Sequence, residues 1–107
     1  MGVARGILLA ACLAAGGCFP RESQSIGAAD PMNSIPAIQQ AAATNDQQAV
    51  PALVKQLNND DPAIRFYAFG ALQRMTGNSF GYRFYDDVDE RRPAVKRWQQ
   101  WLNQRKL

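Results

Sequence analysis

The sequence predicts an all-α fold, a short stack of about four helices with an aromatic segment closing its C-terminal end. From Ser34 onward apolar residues recur every three or four positions, which is the helical period. The periodic stretches are separated by Asn45-Asp46 and by Asn59-Asp60-Asp61, residues that stop one helix and cap the next. The C-terminal stretches are rich in Phe, Tyr and Trp, the side chains that bury most area in a small core.

Residues 35–44 form the first expected helix, with Ile35, Ile38, Ala41 and Ala42 on one side and Pro36 in the first turn. Asp46 can cap the second, over residues 47–58, where Ala49, Val50, Leu53, Val54 and Leu57 share a face opposite Pro51, Lys55 and Asn58. Pro51 lacks a donor, so it pushes the regular start of this helix later. Asp61 caps the third, residues 62–76, with Pro62 at its first position and Gly77 as its stop. Its stripe is Ile64, Tyr67, Ala68, Ala71, Leu72 and Met75, while Phe66 and Phe69 lie almost opposite. A helix apolar on two faces is either sandwiched or awaits a partner. A loop follows over residues 77–90 and carries Phe80, Tyr82, Phe84 and Tyr85. The last helix, residues 93–104, gathers Ala94, Val95, Trp98, Trp101 and Leu102 on one side.

The N-terminal run differs in kind. Arg5, an apolar stretch through Ala15 and the pair Gly16-Gly17 read as a secretory signal peptide over residues 1–17. Gly16-Gly17 followed directly by Cys18 resembles a bacterial lipobox, which implies lipidation of Cys18 and a mature chain of residues 18–107. The position three before Cys18 is Ala15 where a lipobox usually has Leu. Cys12 follows a better-matching Leu9 but leaves too short an apolar region, and cleavage after Ala15 would release a soluble protein. The run is shorter than the roughly 20 apolar residues of a spanning helix. Residues 18–33, with Pro, Ser, Gly and Gln and no apolar period, are the expected tether, and 34–107 the helical domain. The expected address is the bacterial cell envelope, facing the periplasm or exterior. Phe19 after Cys18, rather than Asp, favours the outer membrane where there are two.

Residues 49–75 resemble a HEAT repeat of the short bacterial type. The resemblance rests on the helix pair, the Asp61-Pro62 turn, Arg65 and the Ala68 to Leu72 run. The first helix resembles the end of a preceding, degenerate repeat, and the tail resembles the closing segment of small exported HEAT-like proteins. This implies a stack of antiparallel helix pairs used for protein contacts, with no shared chemistry. A di-iron hydroxylase is built on related repeats with His-Glu ligand pairs, but this chain has no histidine. Bilin lyases use such repeats too, and nothing in these residues identifies their chemistry.

The same lack of histidine leaves no nucleophile–base pair, and Lys55, Lys96 and Lys106 fall on polar faces. No enzyme activity and no cofactor are expected. Asp86, Asp87, Asp89 and Glu90 lack the glycine and distal acid of a calcium loop and are expected to cap the last helix; no metal is expected. The net charge of +3 is too mild to argue for nucleic acid as a partner. Candidate interaction residues are Phe66, Phe69, Tyr82, Tyr85, Trp98 and Trp101. The tryptophans either cover the Phe66/Phe69 face as core or face outward with the basic residues of the last helix, the core reading being preferred. Tyr82 and Tyr85 either cap the stack or recognise a partner. The expected function is a non-enzymatic, lipid-anchored module that binds an unidentified protein. Its alternatives are an accessory subunit of an envelope enzyme complex, or a structural envelope protein without a discrete ligand.

Overall fold

The computed structural model describes residues 25–105. Four α-helices lie there in the order α1 (Pro31–Ala43), α2 (Val50–Gln56), α3 (Pro62–Thr76) and α4 (Val88–Arg105), and no strand occurs among the described residues. The signal peptide and Cys18 lie outside those residues. None of the described helices is long and apolar enough to cross a membrane.

α1 begins earlier than the period of its apolar residues implies. Asp30 accepts a hydrogen bond from Met32 N at 2.9 Å and Pro31 follows it, the same Asp-Pro start that Asp61-Pro62 supplies to α3. The expected tether is therefore corrected at its C-terminal end: residues 31–33 are helical, and Ile26 packs against the core. Pro36 consequently sits inside α1 rather than in its first turn, where it cannot donate to the preceding turn.

Asp46 opens a 3-10 turn, Gln47–Ala49, and the α-helical geometry of α2 starts only at Val50, with Pro51 in its first turn. The delay expected from Pro51 is present. α3 has the bounds expected of it: Asp61 accepts from Ala63 N at 2.8 Å, and Gly77 closes the helix at φ 76°.

α4 starts five residues before the expected position and holds Pro93 in its interior. Two features offset that proline. Asp89 and Glu90 occupy the first turn, where they favour the positive end of the helix dipole. Arg91 is buried beneath the same turn, and its guanidinium donates to the Asp86 carbonyl. Of the expected capping acids, Asp86 instead binds Arg83 at 2.8 Å.

The core is one layer of side chains shared by α1, α2 and α3 and completed by α4. Val50, Leu53, Leu57, Ile64, Ala68, Leu72, Ile38 and Trp98 are all essentially excluded from solvent. α3 packs on both α1 and α2, whereas α4 packs mainly on α2. That contact corrects one expectation: the tryptophans do not cover the Phe66/Phe69 face of α3. Residues of the 77–87 loop pack there instead and cover it in part: Tyr82 lies tilted against Phe69 at 5.1 Å, and Phe84 meets Phe66 edge-on at 5.1 Å while Phe66 stays half exposed.

Candidate functional site

The loop between α3 and α4 is held from three sides. Phe80 has φ 54° and Gly81 φ 73°, two successive left-handed residues that reverse the chain. For a bulky aromatic such a backbone is strained, and it persists only where its surroundings over-determine it. They do so here: Arg97 donates to the Phe80 carbonyl at 3.1 Å, and the ring lies 4.8 Å from Trp98 and 6.3 Å from Trp101. Trp98 Nε1 adds a bond to the Ser79 carbonyl at 3.2 Å.

Arg65 is the second brace. It is buried, its Nε donates to the Phe84 carbonyl at 2.9 Å, and one terminal nitrogen donates to Asn59 and Asp60 carbonyls at 2.7 and 2.9 Å. One guanidinium thus ties α3 to both the α2–α3 turn and the aromatic loop. The resemblance marked Arg65 as a repeat signature, and the geometry explains what such an arginine does.

Tyr82 is the third. Its hydroxyl donates to the Leu57 carbonyl at 2.8 Å, and burial pushes its pKa up to about 12, with Arg65 and Arg91 nearby pulling it partly back. A folded pKa above the unfolded value means that this stability is complete below pH 10. It is lost as the pH rises towards the folded value. Tyr82→Phe is expected to cost about 1–3 kcal/mol at neutral pH, because the Leu57 carbonyl loses its donor. The variant should also lose less stability between pH 10 and 12 than the parent, measured by urea denaturation at both ends of that range.

These contacts sort the six candidate interaction residues. Trp98 and Tyr82 are interior, 0% and 3% exposed, so their place on a candidate surface is corrected. Phe69 and Trp101 are half-buried, the latter stacked beneath the Arg105 guanidinium at 4.6 Å. Only Phe66 and Tyr85 stand open, at 50% and 67% exposure. With Phe84 between them they make a continuous aromatic stripe, at ring separations of 5.1 Å to Phe66 and 5.3 Å to Tyr85.

The stripe runs into a groove of about 350 Å³ between α1 and α3. From α3 come Phe66, Tyr67, Gly70, Ala71 and Arg74; from α1 come Ile38, Gln39 and Ala42. Ala42, Gly70 and Ala71 leave its floor free of side-chain bulk, Phe66 and Tyr67 form one wall, and among the described residues Arg74 is the only charged side chain lining it. Sequence reasoning found Phe66 and missed Gly70, Arg74 and Gln39. The available signal was Gly70, a glycine in mid-helix with no turn to explain it.

Among the described residues no group of acids is arranged to hold a metal ion.

Residues 37–77 match the family model of the armadillo/beta-catenin-like repeat. The chain therefore carries an armadillo/HEAT-like helical repeat. The match starts within α1 and ends at the Gly77 cap, so it counts α1 with α2 and α3 as one unit. The first helix thus falls within the matched repeat rather than at the end of a preceding one. Repeats of this class have two or three helices over about 40–47 residues, and each buries its face on a neighbour. No curated protein and no solved structure matches the chain. Residues 78–105 lie outside the matched range, and the aromatic loop and α4 take the place a neighbouring repeat would fill.

Proposed function

We propose that this chain is a non-enzymatic protein-interaction module, anchored by lipid at Cys18 to the extracytoplasmic face of a bacterial membrane. The armadillo-repeat match over residues 37–77 carries the first half of that reading, since such repeats serve as protein-binding scaffolds. The open groove and the aromatic stripe that runs into it supply a surface of a suitable kind, with exposed aromatic rings and an arginine, side chains that commonly anchor interfaces. The anchor rests on the charged, apolar and small-residue order of residues 1–17 and on the cysteine that follows.

Two measurements test it. Cys18→Ala is expected to move the protein from the membrane to the soluble fraction and abolish fatty-acid labelling, whereas Cys12→Ala does neither. If Cys12→Ala alone abolishes labelling, the anchor is misplaced. Cross-linking and affinity purification of the full chain from membranes should recover one stoichiometric protein. Recovery of none would sink the binding role.

A further inference from the structure

We infer that the α1–α3 groove docks an acidic, apolar segment of a partner protein, with Arg74 meeting its carboxylate and the floor at Gly70 receiving its apolar side chain. This rests on the protein-binding reading above and names the surface and the chemistry of the partner.

Charge carries the argument first. α1 contains no charged residue, and α3 contains only Arg65 and Arg74. Arg65 is buried and committed to three backbone carbonyls. Arg74 is exposed and makes no ion pair among the described residues. The capping acids Asp30 and Asp61 each accept from an N–H of their own helix. Two helices without a carboxylate, presenting a guanidinium with no ion pair among the described residues beside an apolar groove, complement an acid flanked by apolar side chains. A guanidinium forks onto a carboxylate with two parallel bonds, which gives orientation as well as attraction.

Gly70 is the second observation. A glycine inside a helix is less favourable than any other residue except proline, so packing or function normally explains it. Packing does not: a Cβ built at Gly70 meets nothing within 4 Å. Its bare backbone leaves room for another chain to approach α3 closely. Phe66, held edge-on by Tyr67 at 5.3 Å and Phe84 at 5.1 Å, forms a wall fixed in position before anything binds. The cavity is near the small end of the range for ligand pockets, which suits one or two side chains of a segment.

The test selects a random displayed-peptide library on the full chain. The enriched sequences should place Asp or Glu within a few residues of Phe, Leu or Trp. A synthetic peptide of that consensus should bind about tenfold or more weakly to Arg74→Glu, the loss of one charge-assisted contact and its replacement by repulsion. Gly70→Leu should abolish binding while the melting temperature holds or rises, because leucine fills the groove and is the better helix former. If that variant does not fold, Arg74→Glu, at an exposed position, decides alone.

Enrichment without acidic residues, or no enrichment, overturns the inference. So does a consensus peptide that binds Arg74→Glu as tightly as the parent. In that last case the protein-binding reading survives on another surface, and the membrane purification judges it separately. Flotation with phosphatidylglycerol vesicles, lost in Arg74→Glu and seen without any peptide consensus, would give the site to lipid instead and overturn it too.

Discussion

Trp98→Ala is expected to cost about 3–5 kcal/mol, the range for deleting a large aromatic from a packed core. Trp98 is fully excluded from solvent and holds three things at once: the Phe80 ring at 4.8 Å, the Trp101 ring at 5.4 Å and the Ser79 carbonyl. Without it the left-handed Phe80 loses the ring that opposes its backbone strain. Small domains have roughly 5–15 kcal/mol in all, and the smallest less. The variant should therefore be largely unfolded at room temperature. Urea denaturation and far-ultraviolet circular dichroism check this, and the parent's tryptophan emission should be blue-shifted and partly protected from acrylamide. Trp101→Ala should cost less, because Trp101 is half-buried and one face is covered only by Arg105. If Trp98→Ala melts like the parent, α4 is not part of the core.

Arg65→Met is expected to cost about 2–4 kcal/mol. Three carbonyls, of Asn59, Asp60 and Phe84, lose a charged donor, and bonds of that type contribute about 1.5–3 kcal/mol each. Part of this is offset because a buried guanidinium is itself costly to desolvate. The informative comparison is Arg65→Lys. It keeps the charge, yet an ammonium on a single stem cannot serve the turn and the loop in the two directions that Nε and a terminal nitrogen serve. It should recover less than half of the loss. Urea denaturation measures the cost, and the near-ultraviolet dichroism of the loop aromatics should weaken in both variants. A lysine variant as stable as the parent would show that charge, rather than the fork, holds the loop.

Legibility in the sequence followed the range of the interaction. Asp61-Pro62 and Gly77 bound α3 correctly because a cap, a proline and a left-handed glycine act within a few residues of the backbone they satisfy. The same chemistry at Asp30-Pro31 was present and passed over, since the apolar period becomes visible only later in α1. The groove is half legible: Phe66 stands out as an apolar residue almost opposite the main stripe of α3, while nothing in local spacing marks Arg74, whose place beside α1 exists only in the folded chain.

By itself the sequence determined the all-α class, the helical breaks and nearly all of the buried apolar stripe, from Ile38 and Leu53 to Leu72 and Trp98. These follow from periodicity and from local capping. Tertiary structure alone decided which element covers which face. Tyr82 reaches Leu57 across 25 positions and Arg105 reaches Gln47 across 58, and pairings so distant leave no mark in local spacing. It also decided that Arg65 and Arg91 lie inside, although a charged side chain ordinarily stays in solvent. At Arg65 a guanidinium is buried without an acid because backbone carbonyls at a turn and a loop converge on it, whereas Arg91 donates to the Asp86 carbonyl alone and its buried Nε has no partner among the described residues. That convergence exists only once the chain has folded.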